Sequence, residues 1–94
     1  MQTDTMTITV TQPAEEELNA LNIGSWNPWE CEESVFDWFY DQEEWCYLFE
    51  GKAAIKAEAG DEVEIKKGDL VKFPKALRCT WNISSKVRKV YIFK

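Results

Sequence analysis

Residues 36–51 read FDWFYDQEEWCYLFEG and place aromatic rings, carboxylates and a cysteine in a strand-like stretch that ends on a glycine. Side chains alternate between the two faces of a strand, so every second residue shares a face. Three such rows, two from this stretch and one from residues 79–83, are expected to meet inside a small β-barrel. Their members are Trp38, Tyr40, Glu44, Cys46, Cys79 and Trp81.

The rest of the chain supports an all-β prediction. A strand is expected at residues 7–11 and one short helix at residues 14–21, and turn residues such as Gly51, Gly60, Gly68 and Pro74 separate the later segments. Many short strands at this spacing favour a barrel or sandwich. The predicted later strands are 29–33, 35–40, 45–49, 52–58, 62–65, 70–73, 78–83 and 87–93.

The length of 94 residues predicts a single domain. Residues 1–22 are expected to supply an N-terminal strand and helix, and residues 23–94 the barrel. The sequence contains five tryptophans, and large rings bury much area per ordered residue, which strengthens a small core.

The net charge of −6 argues against nucleic acid and anionic membranes as partners, because both would repel an acidic chain. The first residues have neither a basic start nor an apolar core of a secretory signal, and no apolar run reaches the length of a membrane span. These patterns predict a cytoplasmic protein. The three cysteines, without CxxC spacing, are then expected to be reduced thiols.

The sequence contains no histidine. Ser–His and Cys–His nucleophile pairs, three-histidine metal sites and imidazole acid–base catalysis are therefore excluded within the chain.

Two ordered motifs resemble those of the cupin superfamily, the jelly-roll proteins with a double-stranded β-helix. The end of the first motif is present as Glu44, six residues and Gly51, but its two histidine positions hold Trp38 and Tyr40. The second motif begins with Gly68, five residues and Pro74, with Ala76 at its second glycine position and Cys79 at its histidine position. The resemblance implies a cupin jelly-roll fold and a homodimer.

A closer resemblance is to small single-domain cupins related to the (S)-ureidoglycine aminohydrolase cupin domain. Val90 stands where members of this group often carry a histidine, which places their chemistry in doubt here. The phrases that carry the resemblance are residues 26–30 (WNPWE), 36–38 (FDW), 44–47 (EWCY), 68–71 (GDLV), 73–75 (FPK) and 78–81 (RCTW).

In most cupins the inward histidines and glutamate bind a divalent metal, and this resemblance therefore raises the question of a metal here. Only Glu44 is a usual ligand among the equivalent positions. We favour a metal-free barrel, because first-row metals need fuller sets of imidazole or thiolate ligands. The alternative is zinc held by Glu44, Cys46 and Cys79.

The predicted catalytic residues are Glu44, Tyr40 and Cys79. A carboxylate among aromatic rings loses hydration, which makes Glu44 a candidate general base. Tyr40 is a candidate donor to a substrate oxygen, and Cys79 a weak acid or nucleophile. The alternative is that Glu44 bonds Tyr40 or a backbone amide and only satisfies the core.

The predicted ligand-binding residues are Trp38, Cys46, Trp81 and Arg78. The two tryptophans would supply stacking surfaces, although core packing is the favoured alternative, and Cys46 would be a buried thiol. Arg78 belongs to a basic group with Lys75, Arg88 and Lys89, which either attracts an anion to the barrel mouth or is a solvated strand edge.

Three functions are compatible with these residues. The first is a metal-free cupin that binds a small molecule and has possible enzyme activity through Glu44 and Tyr40. The second is a metal-dependent enzyme, aminohydrolase-like or isomerase-like by analogy. The third is a structural or regulatory dimer whose barrel interior is filled.

Overall fold

Strands account for most of the chain. The computed structural model describes residues 7–94. The one α-helix of this part, α1, covers Glu15–Leu21, between the first two strands, and ends at Asn22 in the left-handed conformation. The strands are β1 Thr9–Thr11, β2 Asn27–Cys31, β3 Ser34–Phe39, β4 Glu44–Ala57, β5 Glu62–Lys66, β6 Leu70–Phe73 and β7 Arg78–Phe93.

All strand pairs are antiparallel, and the seven strands form one continuous sheet. The central path runs β1-β6-β4-β7-β2, while β3 pairs with β7 and β5 pairs with β4. This architecture is the predicted all-β jelly roll with one short N-terminal helix.

The two long strands β4 and β7 are each continuous where the sequence predicted two separate strands. The predicted turn at Gly51 is wrong, because β4 passes through this residue with a series of register shifts against β7. Gly51 has φ +103°, and a Cβ there would lie 2.3 Å from the carbonyl oxygen of Lys86. Glycine therefore allows β4 and β7 to approach closely at this irregularity in their pairing.

The core lies between the folded halves of this sheet. Alternate residues of β4 point inward, so that Cys46, Leu48, Ala53 and Ile55 are fully buried. Burying a large aliphatic side chain stabilises the fold by about 1.5–3 kcal/mol. The same core contains Ile65, Val71, Phe73, Leu77, Trp81, Ile83 and Val87.

Helix α1 begins with three glutamates, whose charges suit the positive end of the helix dipole. None of its residues is fully buried. Among residues 7–94 there is no helix long and apolar enough to cross a membrane.

Candidate functional site

A cavity of about 120 Å³ opens at the end of the barrel where β4 begins and β7 ends. Its wall is formed by β2, β3, β4 and β7 together with Tyr40, which directly follows β3, and it is mostly aromatic. The lining residues are Trp29, Phe36, Trp38, Tyr40, Glu44, Trp81, Lys89, Tyr91 and Phe93.

The aromatic rings of this wall pack against one another in a fixed arrangement. The rings of Phe36 and Trp81 lie nearly parallel, with an interplanar angle of 8° and centroids 6.0 Å apart. Trp29 is tilted against both of them, at 6.3 Å from Phe36 and 6.0 Å from Trp81. Because the rings fix each other, the cavity presents a preformed apolar surface.

A buried ion pair faces this cavity. Lys89 donates a hydrogen bond from Nζ to the Glu44 carboxylate over 3.2 Å, and each residue is only 5% exposed. Glu44 is the first residue of β4, and Lys89 lies on the adjacent part of β7. Each charge supplies the partner that the other needs when it is removed from water.

Three aromatic rings also surround the Lys89 ammonium. Its nitrogen lies 4.8 Å from the ring centroid of Trp81, 4.9 Å from that of Trp29 and 5.8 Å from that of Tyr91. The negative faces of such rings attract a cation. Lys89 is therefore held from several sides and not by Glu44 alone.

Sequence reasoning placed Lys89 among solvated or mouth-lining basic residues, and the solvated alternative is wrong for this residue. Val87 and Lys89 lie two positions apart on β7 and are both buried. The alternation of Val87, Lys89, Tyr91 and Phe93 was the signal that could have placed the lysine inside. This alternation did not outweigh the lysine charge in the prediction, because lysine is rarely buried without a partner.

Tyr40 is buried against the rings of the core and lines the cavity. Its ring stacks on Phe73 with centroids 4.5 Å apart, and its hydroxyl oxygen accepts a hydrogen bond from Nε1 of Trp81 over 3.1 Å. Burial, reinforced by the nearby Glu44 charge, raises the pKa of Tyr40 far above its ordinary value. Tyr40 thus stays protonated and does not act as a base.

Cys46 and Cys79 are both buried in the core, but neither lines this cavity. Burial raises the pKa of each thiol to about 11. The thiolate is the nucleophile and the metal ligand, so both cysteines are weakly reactive near neutral pH.

The side chains around Glu44 do not fit the metal site that the cupin resemblance implies. Within the part of the chain that the structure describes, no three acidic or cysteine side chains are placed to hold an ion. The Lys89 ammonium hydrogen-bonds the Glu44 carboxylate directly, and the two thiols are protonated. Glu44 and the two thiols therefore do not form a ligand set for a metal.

Trp38 and Arg78 lie at the outside of the barrel. Trp38, which was expected to point inward, is 51% exposed, because it stands near the end of β3 at the mouth of the cavity. Arg78 is exposed, and its guanidinium carbon lies 4.6 Å above the ring of Phe39. Both residues line an open outer cleft that also contains Asp37, Lys56, Ala57, Glu58, Cys79 and Thr80.

The fold and the inward glutamate define this protein as a cupin. A family model for the EutQ-like cupin domain matches residues 18–91, and the chain belongs to that family. This supports the superfamily part of the predicted resemblance; the narrower likeness to ureidoglycine aminohydrolases stays a prediction.

Solved structures show the same architecture. A DUF861 family protein from Thermotoga maritima is 44% identical, with a TM-score of 0.93, over 94% of this chain and 100% of that chain. The EutQ protein of Clostridium difficile is 26% identical, with a TM-score of 0.64, over 70% of this chain and 52% of that chain. The match to Bacillus subtilis oxalate decarboxylase, 20% identical with a TM-score of 0.56 over 82% of this chain and 23% of that one, shows the fold alone. No curated protein shows significant similarity to the chain.

Proposed function

We propose that this chain is a metal-free cupin whose barrel cavity binds a small neutral molecule between the aromatic rings and the Lys89–Glu44 ion pair. The observation that carries the proposal is this pair, buried at 3.2 Å on the wall of a cavity. A core that needed only stability is better served by apolar residues of similar size, because two charges lose much hydration on burial.

The charges of the cavity favour a ligand without net charge. Glu44 and Lys89 neutralise each other, so a charged ligand would bring an unpaired charge into a largely aromatic cavity. A neutral molecule with one polar group can instead hydrogen-bond the pair and place its apolar part on the rings.

The three polar side chains of the cavity have distinct roles in this proposal. The Lys89 ammonium carries three protons, of which one is directed at Glu44, and it donates to a ligand oxygen. Tyr40 accepts from Trp81 and can donate its own proton to the ligand. Glu44 accepts a proton from a bound molecule and would be the general base of any reaction.

Binding can be tested through tryptophan fluorescence, because Trp29, Trp38 and Trp81 line the cavity. Titration with 1-butanol, butyrate and butylammonium compares a neutral, an anionic and a cationic probe of similar shape. We expect the neutral probe to change the emission at the lowest concentration, with a matching rise in melting temperature. Equal or tighter binding of either ion would contradict the proposal.

A matched pair of variants separates the cavity from the surface. Glu44→Gln/Lys89→Met removes both charges while keeping similar volumes, and we expect it to bind 1-butanol more weakly than the unmodified protein does. Lys72→Met removes a lysine that lies 4.0 Å above the outward-facing Trp45, and it should leave probe binding unchanged.

The metal-dependent alternative, an aminohydrolase-like or isomerase-like enzyme with zinc at Glu44, Cys46 and Cys79, stays a prediction. Elemental analysis of the purified protein distinguishes the two functions directly. Near-stoichiometric zinc that is lost in Cys79→Ala would favour the enzyme, whereas a metal-free protein that still binds 1-butanol would favour our proposal.

We also propose that the chain forms a homodimer through β3. Val35 and Phe39 are exposed apolar residues on this strand, as is Trp38, and β3 pairs only with β7 among residues 7–94. A second copy would cover this edge and its apolar side chains. Light scattering after size exclusion should give twice the chain mass, and Val35→Asp should reduce this mass.

The cytoplasmic location stays a prediction.

A further inference from the structure

Lys89 differs from the other lysines of residues 7–94 because it alone is buried. Surface ammonium groups are strongly hydrated and mobile, whereas this one has exchanged water for a carboxylate and aromatic rings. It also lines the cavity, so that a molecule inside can reach it.

The surroundings hold the Lys89 nitrogen in one place before any ligand arrives. Glu44 lies 3.2 Å away on one side, and the ring centroids of Trp29 and Trp81 lie within 5 Å. A side chain that is already ordered loses little further freedom when it reacts, which lowers the barrier to bond formation.

We propose that Lys89 forms an imine with a small aldehyde or ketone that enters the cavity. The inference rests on the proposed function, since it requires that the cavity admit a small neutral molecule. A carbonyl compound meets this condition, because it has no net charge, an apolar body and an oxygen that accepts hydrogen bonds.

The first half of the reaction converts the ammonium into a nucleophile. The Glu44 carboxylate removes one proton from Lys89, and an ion pair in an apolar cavity becomes a neutral amine and a neutral acid. The nitrogen lone pair then attacks the carbonyl carbon, a C–N bond forms, and the carbonyl π electrons move to oxygen. Transfer of one proton from nitrogen to that oxygen gives a carbinolamine.

The second half expels water. Glu44 returns its proton to the carbinolamine hydroxyl, the C–O bond breaks, and the nitrogen lone pair forms the C=N bond. The products are a protonated imine on Lys89, one water molecule and the Glu44 carboxylate. Atoms and charge balance, nothing is oxidised or reduced, and the final iminium–carboxylate pair replaces the initial ammonium–carboxylate pair.

The other polar group of the wall assists this reaction. Tyr40 stays protonated because burial raises its pKa, and it lines the same cavity. Its hydroxyl can therefore donate to the carbonyl oxygen as negative charge develops there. Cys46 and Cys79, which do not line the cavity, take no part.

Reductive trapping tests the proposal. The full-length protein is incubated with butanal and sodium cyanoborohydride, which reduces an imine to a stable secondary amine, and peptide mass spectrometry locates the butylated lysines. We expect Lys89 to be modified well before the exposed Lys75 and Lys94. Added 1-butanol should protect Lys89 by occupying the cavity and should leave the surface lysines unprotected.

A variant tests the role of the proton acceptor. Glu44→Gln keeps the lysine but cannot accept its proton, and we expect trapping at Lys89 to slow by about a hundredfold, as is typical when a general base is lost. Trapping at Lys94 in the same sample serves as the internal control. Unchanged trapping at Lys89 would overturn the role of Glu44.

The outcomes separate this inference from the proposed function. If 1-butanol changes the tryptophan emission but Lys89 is butylated no faster than Lys94, the imine is wrong and the binding cavity stands. If neither 1-butanol nor butanal changes the emission and Lys89 is not butylated, both proposals fail. Reductive trapping with butanal uses the protein without substitutions. The test of the imine therefore remains valid even if Glu44→Gln does not fold.

Discussion

The strands β4 and β7 pair along two stretches that differ in what they bury. In the apolar half, residues 53–57 of β4 lie against residues 79–83 of β7, and the inward side chains are those of a hydrophobic core. In the cavity half, residues 44–48 lie against residues 89–93, and the inward side chains include the charged Glu44 and Lys89.

The two halves share their strands, antiparallel pairing and inward alternation, so the sheet itself does not require charges at either place. Filling the apolar half with Ala53, Ile55 and Ile83 shows that this barrel can be packed without polar groups. The ion pair in the cavity half is therefore not required by the sheet, and this is what the proposed ligand-binding role of the cavity would explain.

Breaking the ion pair on one side is expected to have the largest effect. Lys89→Met leaves the Glu44 carboxylate buried without its cation, and the free energy of unfolding should fall by about 3 kcal/mol or more. Denaturant unfolding of this variant measures the loss.

The double variant Glu44→Gln/Lys89→Met provides the control, because it leaves no uncompensated charge. We expect it to recover most of the lost stability. If the double variant is no more stable than Lys89→Met, the ion pair itself stabilises the fold. The cavity half would then need its charges for folding, as the apolar half needs its apolar side chains.

The bend between the two halves is the next test. Gly51→Ala would place a Cβ 2.3 Å from the Lys86 carbonyl oxygen, in addition to the strain of φ +103°, and should cost about 3 kcal/mol. Gly60→Ala is the matched control, since Gly60 has φ +112° with open space around its Cα, and should cost only about 1 kcal/mol. Equal losses of melting temperature would argue against a close approach of β4 and β7 at Gly51.

The buried thiols predict a loss of stability in alkali. The pKa of Cys46 and of Cys79 rises from 9.0 to about 11 in the folded chain, so between these values the unfolded thiols ionise while the folded ones remain protonated. Ionisation then favours the unfolded state, and stability falls from pH 9 to 11 by at most about 1.4 kcal/mol per pH unit for each thiol. Stability is unaffected by these groups below pH 9.

Denaturant unfolding at several pH values checks this expectation. Cys46→Ala/Cys79→Ala should show a shallower decline above pH 9 than the unmodified chain, whatever its absolute stability. Identical slopes would mean that these thiols do not remain protonated in the core.

The smallest effect on stability is expected outside both halves, in the loop between β6 and β7, which hydrogen-bonds the backbone of Tyr40. Ala76 has φ +73°, a left-handed conformation that disfavours side chains, and its amide donates to the Tyr40 carbonyl over 2.6 Å. Ala76→Gly removes this strain and should raise stability by up to about 1 kcal/mol, partly offset by the freedom of glycine in the unfolded chain. A lower melting temperature would show that the loop is not strained at this residue.

The fold could be predicted in advance because short β segments, turn residues and two ordered motifs all indicated a cupin jelly roll. The continuity of β4 could not be predicted from the sequence, since a glycine at a bend and a glycine at a turn look alike in sequence. Only the partner strand, which approaches Gly51 through Lys86, distinguishes them.

The candidate site was predicted less completely. Alternation placed Tyr40, Glu44 and Trp81 correctly on the interior face, but it could not tell that Trp38 lies at the mouth, because that depends on where β3 ends relative to the cavity. Lys89 was predicted at the barrel mouth or on a solvated strand edge, although the same alternation indicated an inward position, because a charged side chain is ordinarily assigned to the surface.

A crystal structure of the purified protein, with anomalous scattering to detect metals, tests the central claim most directly. We predict that Lys89 Nζ lies within hydrogen-bonding distance of the Glu44 carboxylate, on the wall of the aromatic cavity. A Lys89 side chain extended into solvent, with a metal ion bound at Glu44 in its place, would contradict the account.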